Sequence, residues 1–344
     1  MTTPEVFVFD SGDEDEAARA LATQIRALGI TNPLVLTSPH GERLAAALEG
    51  QQVLRPEGGA DQHWAAELGS RARRSGAGAV IAIGGGRVLD LGKLAAARAG
   101  IAVVSVPTQL SHDGLCSPVA VVPNHDGRTE SVGALAPRAV FISLPTLLQA
   151  PPAAVAAGLG DLLANPLALR DWALAAEHGL ELIDQQAWDM SVHAFELVEP
   201  LLDTDPATSA RDPQALKRLA EALVLSGMAM IAAGTSRPAS GGEHEISHAI
   251  DELFGGRSLH GAQVAFGCIF SVALHGDDAA AFKERLGRLG LPQHPRALRL
   301  SEDELLRVLL HAPETRPGRF TILEEADLDE TSARALIRAL FSTP

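Results

Sequence analysis

The sequence predicts an α/β, Rossmann-like domain over residues 1–148, followed by an all-α domain over residues 149–344. Two observations predict this fold class. Short β-rich runs alternate with helical patterns over the first 145 residues or so, which is typical of βαβ units and a parallel sheet covered on both faces. After about residue 152 the β-branched runs disappear and helical patterns replace them. Enzymes that combine two such domains usually work in the cleft between them.

The elements can be placed in order along the chain. The candidate strands are residues 6–9, 34–37, 53–55, 79–83 and 102–106, and the candidate helices of the first domain lie near 14–28, 41–49, 61–75 and 88–98. Two further apolar runs, 119–122 and 140–142, flank a turn-rich stretch, and we expect them to pair as a hairpin that closes the domain. The long helical patterns of the second domain fall at 166–188, 190–202, 213–233, 241–253 and 260–275.

Composition places the 344-residue chain among ordinary soluble globular proteins, with 46% apolar and 21% charged residues. A net charge of −15 repels phosphate backbones and anionic lipid, so we expect no nucleic-acid partner and no membrane partner. The chain start lacks the features of a leader segment, and no run of about 18 apolar residues appears. A cytoplasmic location with Cys116 and Cys268 as free thiols is therefore expected. We also expect a homo-oligomer.

A glycine-rich turn, residues 84–86, follows the apolar run 79–83. Glycines allow a sharp turn and a close approach of a ligand, and the helix that begins near Arg87 would direct its free N–H groups at that point. Such a turn suits a pyrophosphate, although three glycines alone fit a ligand-free turn equally well. The spacing matches neither the G-x-G-x-x-G fingerprint nor a P-loop, where Leu94 would have to be Ser or Thr. An ATPase is therefore not expected.

The next predicted strand ends in the segment VPTQLSHDG. Thr108 and Ser111 place hydroxyl groups at the carboxyl end of this strand, where ligands of open α/β sheets bind. Asp113 follows Ser111 by two residues and could accept hydrogen bonds from a polyol. A His-Asp pair in a loop is usually a turn with a capping Asp, so His112 is given no functional role.

Three helical segments carry candidate metal ligands, which are Asp161, the pair His244 and His248, and His260. Histidines four residues apart lie on one helix face, but such a pair is as common in ordinary surface or core positions as in metal sites. Small residues before the pair and a second helix that opens with His-Gly favour a site. Two imidazoles and one carboxylate would leave a position for substrate oxygen, as in catalytic metal sites. These ligands suit zinc, and nickel and iron accept them too.

Together these segments resemble a known family. GGGRVLD, VPTQLSHDG, GLGDLLAN, SRPASGGEHEISHA and LHG, in this order and between about residues 79 and 276, look like the motifs of sn-glycerol-1-phosphate dehydrogenases. That family belongs to the superfamily of iron- or zinc-dependent polyol dehydrogenases and dehydroquinate synthases. The resemblance therefore implies a dehydroquinate synthase-like fold. The first 75 residues and the tail after about residue 280 match only in general pattern.

The resemblance implies a role for each motif residue. The residues that would contact a nicotinamide nucleotide are Gly84, Gly85, Gly86, Arg87, Val88, Leu89, Asp90, Thr108, Gln109, Leu110, Ser111 and Ser117. The metal ligands would be Asp161, His244 and His260, because the first histidine of the pair binds metal in this superfamily. Asp113, Asp161 and His248 would contact the substrate. Asp113 and His248 would be catalytic, and His248 would move a proton.

The residues that would bind the phosphate end of the substrate depart from the family pattern. Family members commonly carry a lysine where this chain has Leu135, so one cationic contact is absent. Arg237 is the candidate phosphate ligand, although a structural arginine that binds main-chain carbonyls would fit its position equally well. The cofactor is expected to be NAD or NADP, because residues 37–39 after the second strand include no acid to repel a 2′-phosphate.

The implied function is metal-dependent hydride transfer between NAD(P)H and a small keto or polyol phosphate, with dihydroxyacetone phosphate and sn-glycerol 1-phosphate as the best-supported pair. The metal would act as a Lewis acid on the reacting oxygen. One alternative is a sugar-phosphate cyclase on the same fold, although cyclases keep more basic residues near the metal than Arg170 and Arg237. Others are a dehydrogenase of another polyol phosphate and a binding protein without activity, which an intact ligand triad disfavours.

Overall fold

The computed structural model describes residues 3–10, 12–48, 52–54, 61–125, 127 and 129–341. Its strands are β1 (Glu5–Phe9), β2 (Leu34–Thr37), β3 (Gln52–Leu54), β4 (Ala79–Gly84), β5 (Ala102–Pro107), β6 (Val119–Pro123), β7 (Thr129–Gly133) and β8 (Ala139–Ser143). Six of them form a parallel sheet in the order β1-β8-β5-β4-β2-β3. The predicted strand 53–55 is β3, and Arg55 lies outside the described residues.

Helices cover both faces of this sheet. In the first half of the chain they are α1 (Glu14–Ala27), α2 (Glu42–Ala46), α3 (Gln62–Ser75) and α4 (Gly86–Ala99). Apolar side chains of α1 and α2 pack on one face of the sheet, and those of α3 and α4 pack on the other. All six residues of β4 are buried, as a strand covered on both faces requires. The predicted α/β fold of the N-terminal half is confirmed.

The predicted hairpin between residues 119–122 and 140–142 is wrong. β6 pairs with β7 as a separate antiparallel ribbon, with Val119 opposite Gly133. Residues 139–143 form β8, which lies inside the main sheet and pairs with β1 and β5. Every residue of β8 is buried. This burial is typical of an inner parallel strand, whereas a hairpin strand commonly exposes every second residue to solvent.

The chain is helical after the last strand. The helices are α5 (Leu144–Leu147), α6 (Pro152–Leu162), α7 (Asn165–Glu177), α8 (Gln185–Val198), α9 (Pro206–Ser209), α10 (Pro213–Ala233), α11 (Gly242–Phe254), α12 (His260–Leu274), α13 (Ala279–Arg288), α14 (Glu302–His311), α15 (Ile322–Ala326) and α16 (Glu330–Phe341). The predicted helices 213–233, 241–253 and 260–275 are confirmed to within one residue. The predicted helix 166–188 is too long, because the chain leaves the helix after Glu177 and Gly179 adopts a left-handed φ of 70°.

One helical stretch, residues 152–177, is long and apolar enough to cross a membrane, but 83% of its most apolar window is buried inside the protein. Its side chains contribute to the large hydrophobic core of the C-terminal half, together with α10, α11 and α12. Burial of this kind is what a core helix of a globular protein shows. The stretch matters for function because α6 presents an acidic side chain to the ends of α11 and α12.

Candidate active site

Asp161, His244 and His260 converge at one point. Asp161 lies near the end of α6, His244 in the first turn of α11, and His260 at the start of α12. One ligand atom from each residue lies within 4.8 Å of the others. The Nε2 atoms of His244 and His260 are 3.9 and 3.8 Å from Oδ1 of Asp161. This spacing allows one cation to contact all three atoms.

Glycines bring two of these side chains together. A Cβ atom on Gly261 would lie 1.9 Å from the carbonyl oxygen of Ala157, and one on Gly160 would lie 2.6 Å from the carbonyl oxygen of Gly261. Both distances are far below van der Waals contact, so α6 and α12 can pack this closely only because both residues are glycine. Gly160 precedes Asp161 and Gly261 follows His260, so the close packing fixes the distance between the two ligands.

The site contains polar atoms that need a partner. Oδ1 of Asp161 and Nδ1 of His260 are buried, and neither has a hydrogen-bond partner among the described residues. Burial raises the pKa of Asp161 well above its usual value and lowers the pKa of His244 and of His260 well below theirs. The imidazoles are therefore neutral, as metal ligands must be, while the carboxylate lacks a counter-charge. The donor set and its unpartnered oxygen fit a divalent cation.

Glu243 orients one of the imidazoles. Its Oε1 atom is 2.9 Å from Nδ1 of His244, and the same oxygen accepts a hydrogen bond of 2.6 Å from the Gly241 N–H. Glu243 is fully buried. A carboxylate acceptor at Nδ1 keeps the proton there and leaves the Nε2 lone pair directed at Asp161. Glu243 is therefore a positioning residue for His244.

The substitution Glu243→Gln is expected to weaken zinc binding about tenfold, because burial raises the pKa of Glu243 to about 8 and a glutamine of the same shape cannot take up the negative charge that a bound cation would stabilise. The dissociation constant for zinc measured by competition with a chromogenic chelator checks this expectation. Glu196→Gln is the matched control, since Glu196 contacts His193 at 3.3 Å in a pair in which both side chains are 61% exposed. An unchanged zinc affinity in Glu243→Gln would show that the carboxylate charge has no influence on the ligand.

Asp113 connects the sheet to the ligand triad. Its backbone N–H donates to Oδ2 of Asp161 at 2.9 Å, and its own Oδ2 accepts a hydrogen bond of 3.0 Å from the Ser226 hydroxyl. Burial raises the pKa of Asp113 to about 6. The residue lies at the carboxyl end of the sheet, as the sequence predicts. Because its pKa lies close to neutral pH, its carboxyl group can exchange a proton there.

His248 lies on the same face of α11 as His244, with ring centroids 6.3 Å apart. A guanidinium nitrogen of Arg316 is 2.9 Å from Nε2 of His248. Because a guanidinium can only donate, Nε2 accepts this bond and the ring proton is on Nδ1. Burial, with a smaller contribution from Arg316, lowers the pKa of His248 well below its usual value.

The prediction that Arg237 binds the substrate phosphate is not supported by the geometry. Nε of Arg237 is 2.8 Å from a carboxylate oxygen of Glu181, Nη2 contacts the same carboxylate, and Nη1 donates to the carbonyl of Phe320 at 2.7 Å. The side chain is almost completely buried. An arginine whose fork is already filled by a carboxylate and a carbonyl is structural, which corresponds to the alternative that the sequence left open.

A cleft of about 480 Å³ lies beside the ligand triad, between the glycine-rich turn and the α11–α12 loop. The predicted nucleotide contacts that line it are Gly85, Gly86, Arg87, Val88, Asp90, Gln109 and Ser111. The helix α4 begins at Gly86, so its N-terminus faces the cleft. A Cβ atom on Gly86 would lie 2.1 Å from Nε2 of His112, so a larger residue at this position would displace the His112 ring.

Other predicted nucleotide contacts lie elsewhere. Leu89 and Leu110 belong to the hydrophobic core, and neither these two side chains nor Gly84 and Thr108 line the cleft. Ser117 lines a smaller pocket, which two residues of the triad, His244 and His260, also line and which we call the pocket of the triad. Asp90 reaches the cleft, but its carboxylate pairs with the buried ammonium of Lys93 at 2.8 Å and accepts the N–H of Val121. Asp90 therefore supports the loop rather than offering a free carboxylate.

The sequence reasoning missed Arg316 and Arg319, which follow α14 in the segment ETRPGR. Both are partly buried, and Nη1 of Arg319 donates to the carbonyl of Ser240 at 2.7 Å, next to the start of α11. Burial lowers the pKa of both, that of Arg319 to about 10. Two arginines in a short loop were the available signal, but they stand outside the recognised motifs.

Comparison with known proteins gives consistent matches. The sequence model of the family described as iron-containing alcohol dehydrogenase matches residues 9–151. A glycerol-1-phosphate dehydrogenase [NAD(P)+] from Methanocorpusculum labreanum is 34% identical over 333 residues, which cover 95% of this chain and 91% of the relative. One from Thermofilum pendens is 35% identical over 94% of each chain, and one from Cenarchaeum symbiosum is 37% identical over 77% of this chain and 73% of the relative.

Solved structures show the same fold. A probable glycerol dehydrogenase from Sinorhizobium meliloti 1021 superposes with a TM-score of 0.79, 21% identity and coverage of 98% of this chain and 96% of its own. A sulfoacetaldehyde reductase from Bifidobacterium kashiwanohense, solved in complex with NAD+, gives a TM-score of 0.76 at 16% identity, with 100% and 98% coverage. At these identities the structures establish the fold, including the helical C-terminal half that the sequence predicts.

Proposed function

This chain belongs to the glycerol-1-phosphate dehydrogenase family of iron-containing alcohol dehydrogenase-like enzymes, and on that premise we propose that it reduces dihydroxyacetone phosphate to sn-glycerol 1-phosphate with NAD(P)H. The observation that carries the proposal is the triad of Asp161, His244 and His260 beside a cleft at the glycine-rich turn. His260 lines both that cleft and the pocket of the triad. A nucleotide and a metal-directed substrate can therefore meet there.

The chain's own residues supply the remaining roles. When bound, the cation would stabilise negative charge on the substrate oxygen, and the nicotinamide would supply the hydride. Asp113, with its pKa raised to about 6, can accept a hydrogen bond from a substrate hydroxyl. His248 is a neutral imidazole with its ring hydrogen on Nδ1, so it would donate a hydrogen bond to the substrate, and water would supply the proton that the reduced oxygen takes up. Asp161 would share its two oxygens between the cation and the N–H of Asp113.

Zinc is the proposed metal, with nickel and iron as alternatives, because the three ligands offer two neutral nitrogens and one carboxylate and no thiolate. Both cysteines are buried, and burial raises the pKa of Cys116 to about 12 and that of Cys268 well above its usual value. Either thiol therefore stays protonated, which makes it a poor ligand. Metal analysis of the protein purified from zinc-, nickel- and iron-supplemented cultures distinguishes the metals.

Use of both NADH and NADPH is proposed. β2 ends at Thr37, and the hydroxyl of Thr37 bonds to the carbonyl of Ser38, so residues 37–39 offer hydroxyls and no carboxylate at the place where an acid would exclude a 2′-phosphate. We expect the kcat/KM values for the two cofactors to agree within about tenfold, because no charge repulsion separates them. Initial rates with each cofactor check this, and a preference for NADH above a hundredfold would contradict it.

The decisive experiment is NAD(P)H consumption by the zinc-loaded protein with dihydroxyacetone phosphate, alongside three- to seven-carbon keto phosphates. Steady consumption that is greatest with dihydroxyacetone phosphate supports the proposal. Phosphate release without net NADH change would identify a cyclase instead. Membership of the glycerol-1-phosphate dehydrogenase family disfavours a cyclase. The argument that too few basic residues lie near the metal no longer applies, because Arg316 lines the pocket of the triad. A cytoplasmic, homo-oligomeric enzyme with no nucleic-acid or membrane partner remains the prediction.

A further inference from the structure

Arg316 and Arg319, the arginine pair, carry two positive charges without a carboxylate partner. In the part of the chain that the structure describes, neither takes part in an ion pair, whereas nearby Arg237 is paired with Glu181. Burial lowers the pKa of both arginines, and only longer-range effects of Glu243, Glu245 and Glu181 counter it. A partly buried cation without a counter-ion is costly, and a bound anion would remove that cost.

Hydroxyl groups lie around the arginine pair. Ser236 Oγ accepts hydrogen bonds from Nη1 of Arg316 at 2.7 Å and from Nη2 of Arg319 at 2.9 Å, so its own hydroxyl hydrogen is left to donate elsewhere. Ser240 is only 3% exposed, and its buried Oγ has no hydrogen-bond partner in the described part of the chain. A guanidinium with unused N–H groups and two available hydroxyls is the donor set that a phosphate needs.

This donor set lies beside the ligand triad. Ser236, Ser240 and Arg316 line the same small pocket as His244 and His260. Arg316 also lines the solvent-open cavity on the other side of His248, so it stands where that pocket meets solvent. Within the described residues, it is the only lysine or arginine that lines the pocket of the triad. A short substrate held at the triad by one end would therefore reach Arg316 with the other.

Neighbouring cations are committed elsewhere. Lys93 pairs with Asp90 and donates to the carbonyl of Gly114 at 2.7 Å. Arg87 lines the nucleotide cleft, on the other side of the triad. Among the described residues, Arg316 is therefore the one cation in the smaller pocket that the anionic end of a substrate would meet.

We propose that Arg316, together with the hydroxyls of Ser236 and Ser240, binds the phosphate group of the substrate. Arg319 is a positioning residue, because it holds Ser236 Oγ and the Ser240 carbonyl in place. The assignment rests on the proposed function for the identity of the substrate, but the anion site itself does not require turnover. It also places the phosphate next to His248, since Arg316 contacts Nε2 of that residue.

The test uses the zinc-loaded protein and compares Arg316→Met and Arg316→Lys with the wild type. We expect Arg316→Met to lower kcat/KM for dihydroxyacetone phosphate by about ten- to a hundredfold, mainly through KM, because a charge-assisted bond to the phosphate is lost. Activity with unphosphorylated dihydroxyacetone should fall far less. The dissociation constant for inorganic phosphate, measured by calorimetry, should rise at least about tenfold. The kcat/KM and the phosphate affinity of Arg316→Lys should lie between those of the wild type and of Arg316→Met, since lysine keeps the charge but cannot donate two parallel hydrogen bonds.

Arg334→Met is the matched control, because Arg334 pairs with Asp303 and Glu330 at the surface. Retained NADH binding shows that a variant is folded. If Arg316→Met does not fold, the comparison is made with Arg316→Lys instead. Equal losses with both substrates, or an unchanged phosphate affinity, would overturn the assignment. If the wild type did not reduce dihydroxyacetone phosphate but its phosphate affinity still depended on Arg316, only the proposed function would be refuted. An active wild type whose Arg316 variants behave like it would refute the phosphate site alone.

Discussion

Replacing His260 by alanine is expected to abolish turnover and to remove the bound metal, while the nucleotide-binding half stays folded. His260 provides one of three ligand atoms within 4.8 Å of one another, and its ring is 20% exposed at the mouth of the site. A bound cation contributes several kcal/mol to the stabilisation of charge in the transition state, so the rate should fall about a thousandfold or more. Zinc stoichiometry and NADH oxidation measured on the same sample check both parts.

His63→Ala is the control for this prediction. His63 is 75% exposed and pairs with the exposed Glu67 in α3, so its removal should leave metal content and activity unchanged. Retained NADH affinity in His260→Ala would show that the nucleotide cleft is intact. Wild-type activity with a full complement of zinc in His260→Ala would mean that the triad is not the metal site.

The substitution Gly261→Ala is expected to have the second-largest effect. The new Cβ atom would lie 1.9 Å from the carbonyl oxygen of Ala157, so α6 and α12 must move apart. We expect a loss of about 1–3 kcal/mol in the free energy of unfolding, because overpacking forces backbone shifts of this kind. The same movement separates Asp161 from His260, so zinc affinity should fall as well. Chemical denaturation and a zinc titration measure the two effects.

Gly133→Ala is the matched control, because a Cβ atom at Gly133 would meet no heavy atom within 4 Å. It should leave both the unfolding free energy and the zinc affinity near the wild-type values. If Gly261→Ala behaved in the same way, the close packing of the two helices would not be what sets the ligand distance.

Much of the fold could be predicted because the relevant signals are local. The run of apolar residues in β4, the glycines after it and the amphipathic pattern of α10 each act within a few residues of chain, and each was placed to within a residue or two. β8 was assigned to the wrong partner because strand pairing depends on which distant segment lies alongside. The end of α7 was predicted too late, because the helical pattern of the sequence continues past Glu177 while the chain turns at Gly179.

The candidate site divides in the same way. The sequence by itself determined the types of side chain available as ligands, and their short motifs indicated that Asp161, His244 and His260 belong together. Only the tertiary structure decided which cation is available to an anionic substrate. Arg237 lies beside the motifs, but Glu181 neutralises it, whereas Arg316 lines the pocket and has no ion-pair partner among the residues that the structure describes. The role of an arginine depends on the anion that it meets, and that partner is set by contacts between residues far apart in the chain.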